Sequence, residues 1–153
     1  MGIAKDIQQQ KFRSEHQKLF INIAFTNSFL NGKLNTFLKP YGLSMQQFNV
    51  LRILRGQHPE PVSINSITER MIDKMSNASR LVDKLQLKEM VERRQCEADR
   101  RQVDVVLSER GIQVLSELDS IIPEFEHQFM TLTEDEARMV NDLLDKLRET
   151  KDN

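Results

Sequence analysis

Cysteine is nearly missing from this chain. Cys96 stands alone among 153 residues, which excludes an intramolecular disulfide and suits a reducing compartment. Tryptophan is absent, tyrosine occurs once, and the five glycines are scattered, so no phosphate-cradling loop is encoded. No run of about 18 apolar residues occurs, so no transmembrane helix is expected. Gly-x-Ser-x-Gly and His-Glu-x-x-His are missing too. His16, His58 and His127 lack metal-ligand spacing. Neither catalysis nor a metal or other cofactor is expected. The opening MGIAKDIQQQ lacks the apolar core of a secretion signal. Asp6 stands where a myristoylation signal needs Ser or Thr. The expected location is the cytoplasm.

Acidic and basic residues nearly cancel, to a net charge of −1, but they are unevenly spread. Gly111–Asn153 carries 4 basic and 11 acidic residues, whereas Met1–Arg110 carries 18 and 12. A charged patch is felt over about a Debye length, roughly 8–10 Å in physiological salt, so local balance matters more than the total. An anionic partner would meet the first part of the chain. At 39% hydrophobic and 29% charged residues, the composition is that of a soluble globular domain.

Val62–Leu107 organises the rest. Ser63 is a good N-cap, and Ile64, Ile67 and Met71 repeat at helical spacing. After a break at Ile72–Met75, Ser76 is expected to cap a second helix with Ala78, Leu81, Val82 and Leu85 on one face. Asn77, Ser79, Arg80, Asp83 and Lys84 fall mostly on the wet face. Two short helices with a tight turn between them follow the plan of a helix-turn-helix, whose second helix enters the DNA major groove N-terminus first. Short Ser and Asn side chains there reach phosphates or base edges, and Arg can grip guanine with two donors. Ser76, Asn77, Ser79, Arg80 and Lys84, with Ser63 on the first helix, form the candidate DNA surface. Strand-like Val91–Cys96 and Gln102–Leu107 follow, with Val103, Val105 and Leu107 alternating against polar residues. Between them lies Glu97-Ala98-Asp99-Arg100-Arg101. Such a hairpin is a wing. Its Arg100 and Arg101 suit the minor groove, and Asp99 supports one guanidinium while the other points outward.

Ser63…Ile67…Met71, Ser76…Ser79-Arg80-Leu81-Val82-Asp83-Lys84-Leu85, Asp99-Arg100-Arg101 and Leu107-Ser108-Glu109-Arg110-Gly111 occur in this order and spacing. The pattern resembles the MarR family of bacterial winged-helix regulators. The resemblance implies a mainly α chain with a small β-hairpin, an α+β winged helix-turn-helix carrying long terminal dimerisation helices. It implies one domain over residues 1–153, with the winged lobe at 40–107 and dimerisation helices at 1–39 and 108–153. It further implies a homodimer on a pseudo-palindromic operator in double-stranded DNA, and a small lipophilic or phenolic ligand as modulator. Phe12, His16, Phe20 and Tyr41 are candidates to line its crevice. The family usually has Gly after the recognition helix, where this chain has Glu89. A left-handed residue there is costly, so a different helix ending is expected. A protein-interaction adaptor on the same scaffold and a redox-responsive regulator acting through Cys96 are the alternatives.

The flanks read as helices. From about Lys11 to Leu38 one long helix is expected, its apolar stripe widened by Phe20, Phe25 and Phe29. Ser44 and Gln47 form a capping box for the next helix. Ser108 caps a long helix that Pro123 should kink or split. Thr133 and Glu136 form a second box before a stripe of Val140, Leu143, Leu144 and Leu147. The seven methionines are expected to be core filler.

Overall fold

The computed structural model describes residues 2–95, 103–128 and 131–149. The chain falls into two compact units, Met1–Leu115 and Ser116–Asn153.

In the first unit, a short α1 (Ile3–Asp6) precedes the long α2 (Glu15–Leu38). The latter starts later than periodicity suggests, because the Ser14 hydroxyl accepts from the Gln17 N–H and stops the helix there. A 3-10 turn at Lys39–Tyr41 ends at Gly42, whose φ of +64° is open to glycine at no steric cost. The expected Ser44–Gln47 capping box opens α3 (Met45–Arg55). Then come β1 (Val62–Ser63), α4 (Ile64–Arg70), α5 (Ala78–Leu87), β2 (Val91–Gln95) and β3 (Val103–Leu107). The three strands form an antiparallel sheet in the order β1-β3-β2, with Val62 opposite Val105 and Val91 opposite Leu107. Two residues of β1 suffice to place β3 in the middle. Its final residues Val105, Val106 and Leu107 are all buried, while Val103 is exposed and Asp104 half-buried, so burial along β3 does not follow the expected alternation.

The core lies between α3, α4, α5 and the sheet. Val50, Leu51, Leu54, Ile67, Met71, Val82, Leu85 and Val105 are buried in it. Each helix contributes side chains three or four positions apart, and burial of each stabilises by about 1.5–3 kcal/mol.

Two expectations at the ends of α5 are corrected. Its N-cap is Asn77, whose side chain accepts from the Arg80 N–H, and not Ser76, which lies one residue before it. At the other end Glu89 does adopt the left-handed conformation, with φ of +58°. Its N–H bonds to the Gln86 carbonyl and the Met90 N–H to the Leu85 carbonyl, which is the Schellman ending. Met90 is buried like Leu85, so tertiary packing overrides the conformational penalty at Glu89.

α6 (Glu109–His127) begins in this unit and ends in the second. Ser108 caps it as expected, accepting from the Gly111 N–H. Pro123 does not split it: the helix runs unbroken through that residue. Proline removes one hydrogen bond, and the remaining ladder on either side carries the helix. In the second unit Thr133 and Glu136 form the expected box at the start of α7 (Glu134–Arg148). Hydrogen bonds from the Thr133 N–H and hydroxyl hold the Glu136 carboxyl below its ordinary range. Met139, Val140, Leu143 and Leu147 on α7 are exposed, as are Leu19, Phe20, Phe25 and Phe29 on α2.

Gly111 sits directly over the end of α5. A Cβ added there would lie 2.1 Å from the Met90 carbonyl oxygen, whereas one added at Gly32 within α2 meets nothing within 4 Å. Gly111→Ala should therefore destabilise the fold by about 1–3 kcal/mol. Gly32→Ala should stabilise it by about 0.5–1 kcal/mol. Urea melts of the two variants check this; shifts of the same sign would refute the close approach at Met90.

Candidate nucleic-acid interface

The turn between α4 and α5 is held by backbone bonds. Ile72 N–H donates to the Asn49 side chain on α3 at 2.9 Å. Asp73 accepts from Met75 N–H through its carboxylate and from Ser76 N–H through its carbonyl. α5 is thus presented at a set angle, with Ala78, Val82 and Leu85 facing inward. Asn77, Ser79, Arg80, Asp83 and Lys84 are exposed. A hollow of about 310 Å³ runs beside this face, lined by Gln46, Asp73, Ser76, Asn77, Arg80 and Lys84. Among the described residues neither Arg80 nor Lys84 forms an ion pair. Both cations are open to an anion.

The candidate residues are therefore not equivalent. Asn77, Ser79, Arg80 and Lys84 share the exposed face. Ser76 lines the hollow, but its Oγ is shut off from solvent with no hydrogen-bond partner among the described residues. Ser63 is occupied as the N-cap of α4, accepting from Ser66 N–H at 3.2 Å. Asp99, Arg100, Arg101 and Cys96 lie outside the described residues.

Arg93 on β2 was not among the candidates, and it connects the hairpin to the helix. Its guanidinium lies 2.6 Å from the Asp83 carboxylate and donates to the Ser79 carbonyl at 3.2 Å. Its Nε is buried with no hydrogen-bond partner among the described residues. The run Val91-Glu92-Arg93-Arg94 in a strand following an Asp-bearing helix carries the sequence signal for this pairing, but only the sheet register shows which Arg turns back. Lys88 fastens the other end of α5, donating to Gln47 Oε1 at 2.8 Å and to the Gly42 carbonyl. Burial, and to a lesser degree the neighbouring Lys84, lower its pKa.

No group of three or more His, Cys, Asp or Glu side chains converges on a metal-sized point among the described residues. No described helix is long and apolar enough to cross a membrane. Of the crevice candidates, His16 and Phe20 are exposed and Phe12 and Tyr41 half-buried. A separate, mostly apolar hollow of about 290 Å³ lies against Leu34, Met45, Phe48, Asn49, Met71 and Ile72.

A sequence profile of the MarR family matches residues 43–103, from the turn before α3 to the start of β3. The HTH-type transcriptional regulator MhqR of Bacillus subtilis is 26% identical over 131 residues, 85% of this chain and 89% of its own. Over these stretches the chain is similar to MarR-family regulators. Among solved structures, a mutant MarR from E. coli in complex with operator DNA superposes with a TM-score of 0.79 at 23% identity. That match covers 91% of this chain and 99% of the other. Bordetella bronchiseptica BpsR, whose DNA binding is regulated by 6-hydroxynicotinic acid, superposes with a TM-score of 0.69 at 19% identity, covering 82% and 94%. Both likenesses show that this chain has the winged-helix fold. The family is one of transcription regulators, not of enzymes.

The Arg93–Asp83 contact is asymmetric. Asp83 is 54% exposed and Arg93 28%. Removing the carboxylate strands a partly buried cation, whereas an apolar replacement of Arg93 also removes an unsatisfied donor. Asp83→Ala should cost about 1 kcal/mol more stability than Arg93→Met, after allowing for solvent screening of the pair. Denaturant midpoints test this, and the reverse order would mean that the pair does not hold the hairpin.

Proposed function

We propose that this chain is a DNA-binding transcription regulator that acts as a homodimer on a pseudo-palindromic operator. The observation that carries the reading is the exposed N-terminal face of α5. It has Asn77 and Ser79 beside two open cations, Arg80 and Lys84, and its backbone is tied to the hairpin by Arg93. Arg80 is assigned to base edges, and Asn77, Ser79 and Lys84 to bases and flanking phosphates. Ser63 caps α4, and Ser76 lies in the turn just before the Asn77 cap; both are assigned to the support of this surface through the backbone they fix. Arg100 and Arg101, supported by Asp99, are assigned to the minor groove. The likeness to a MarR structure carrying operator DNA supports this.

The dimer is supported by apolar side chains that the protomer leaves exposed on α2 and α7; such surface on terminal helices suits a second copy. Residues 1–39 and 108–153 are assigned to that contact, and 40–107 to the DNA lobe. A two-fold axis sets the two recognition helices about 34 Å apart, on one face of the duplex. A small lipophilic or phenolic ligand would alter that spacing. The regulation of BpsR by 6-hydroxynicotinic acid supports such control, and the apolar hollow beside Leu34 and Phe48 is our candidate seat. The protein works in the cytoplasm, where bacterial DNA lies.

Arg80→Ala should relax sequence preference, and Arg101→Ala should lower affinity for all duplexes alike and flatten the salt dependence by about one unit of slope. Binding isotherms on selected and random duplexes at several salt concentrations distinguish the two roles. Unchanged binding by both variants would sink the assignment. In sedimentation, the wild-type chain should run as a dimer and a Leu143→Asp, Leu147→Asp double variant as a monomer with little operator affinity; a monomeric wild type removes the dimer.

A further inference from the structure

Apolar exposure in the DNA lobe is concentrated around α5. Between Lys39 and Leu107, the described large hydrophobic residues that stay exposed are Ile72, Met75, Leu87 and Val103. The first three are 75%, 92% and 86% exposed, and all belong to α5 or to the turn before it. Ile72 is accounted for, since it lines the apolar hollow against α3. Met75 is not, and it contradicts the reading of the methionines as core filler, which holds for Met71 and Met90.

Met75 stands two residues before the N-cap Asn77, at the end of the helix that leads into the groove. Its backbone is fixed by the Asp73 carboxylate, which accepts its N–H at 3.0 Å, so the point from which this exposed side chain projects is set while the side chain itself stays free to adapt. Asn77, Ser79, Arg80 and Lys84, assigned above to phosphates and base edges, follow it in sequence with exposed side chains. The one apolar group that the major groove offers is the C5-methyl of thymine; no other base carries one. A thioether side chain is flexible and polarizable and adapts to such a small apolar partner.

We infer that Met75 is a specificity-determining residue that packs on a thymine C5-methyl group at the major-groove edge of each half-site. The inference rests on the DNA-binding reading above. Leu87 shares a helix stripe with Arg80, seven residues earlier. It lies about 14 Å along the axis from the start of α5, at 1.5 Å per residue, beyond the helix end that reads bases. It serves as the control.

The test uses the full chain and an operator selected from random duplexes. Each thymine is replaced singly by uracil, which removes the methyl and leaves the pairing edge intact. At one thymine per half-site, uracil should weaken wild-type binding roughly fourfold, the size expected for one buried methyl. Met75→Ala should bind the thymine and uracil duplexes equally, while Leu87→Ala should keep the fourfold difference. Circular dichroism should show both variants folded, as their exposure requires. Identical uracil penalties in wild type and Met75→Ala overturn the inference, and so does a penalty abolished by Leu87→Ala alone. A Met75→Ala variant that binds every duplex like the wild type equally ends it. Failure of the wild type to select any duplex refutes the DNA-binding reading itself, which is a distinguishable result.

Discussion

The lobe depends on one junction, where α5 ends and β2 begins. Glu89 is left-handed there, so the chain turns sharply and Met90 drops into the core beneath Leu85. The Met90 carbonyl then faces the start of α6, accepting from Ser108 N–H at 3.2 Å. Ser108 Oγ donates to the Glu89 carbonyl, and Arg110 pairs with the Glu89 carboxylate at 3.2 Å. The exposed ion pair adds little by itself. Together these contacts bring the recognition helix, the hairpin and the next helix within one residue of each other. Gly111 is the only residue type that the spacing admits at that point.

From this junction the exposed face of α5 acquires its stiffness. Arg93 is placed by the register of β2 against β3, opposite Val105, and from there it reaches back to Asp83 and Ser79. At the far side Lys88 is drawn onto the Gly42 carbonyl and Gln47, so α5 is tied to the start of α3. The helix is thus fastened along its length while Arg80 and Lys84 remain open. A charge that already has a partner gains little from a phosphate, so the division between clasping and open cations decides which charges on this face an anion can reach.

The terminal helices follow a different logic. α2 and α7 carry large apolar residues that the protomer leaves in water, and the acidic excess of Gly111–Asn153 sits away in sequence from the basic lobe. The exposed apolar helices and the basic excess thus fall mainly on different elements of the chain. The near-zero net charge conceals this arrangement, because opposite excesses cancel in the sum.

Helices with local signals were legible from the residues. Ser44 with Gln47 and Thr133 with Glu136 announced α3 and α7, and the spacing of Ala78, Val82 and Leu85 announced the buried face of α5, because caps and periodicity act within a few residues. The candidate surface was legible to the same extent: Asn77, Ser79, Arg80 and Lys84 are on the face opposite that spacing. Elsewhere distant contacts decided. Asn77 displaced Ser76 as the cap because Asp73 draws the preceding turn tight. Glu89 accepted a left-handed backbone because Met90 and Leu85 are buried by what it allows. Arg93 rather than another arginine became the clasp because strand register, a long-range property, turns it toward α5. Sequence alone therefore determined where elements begin, which faces are apolar and which charges cluster. Tertiary structure alone decided which polar groups are consumed in holding the fold and which are left open, since that depends on neighbours tens of residues away.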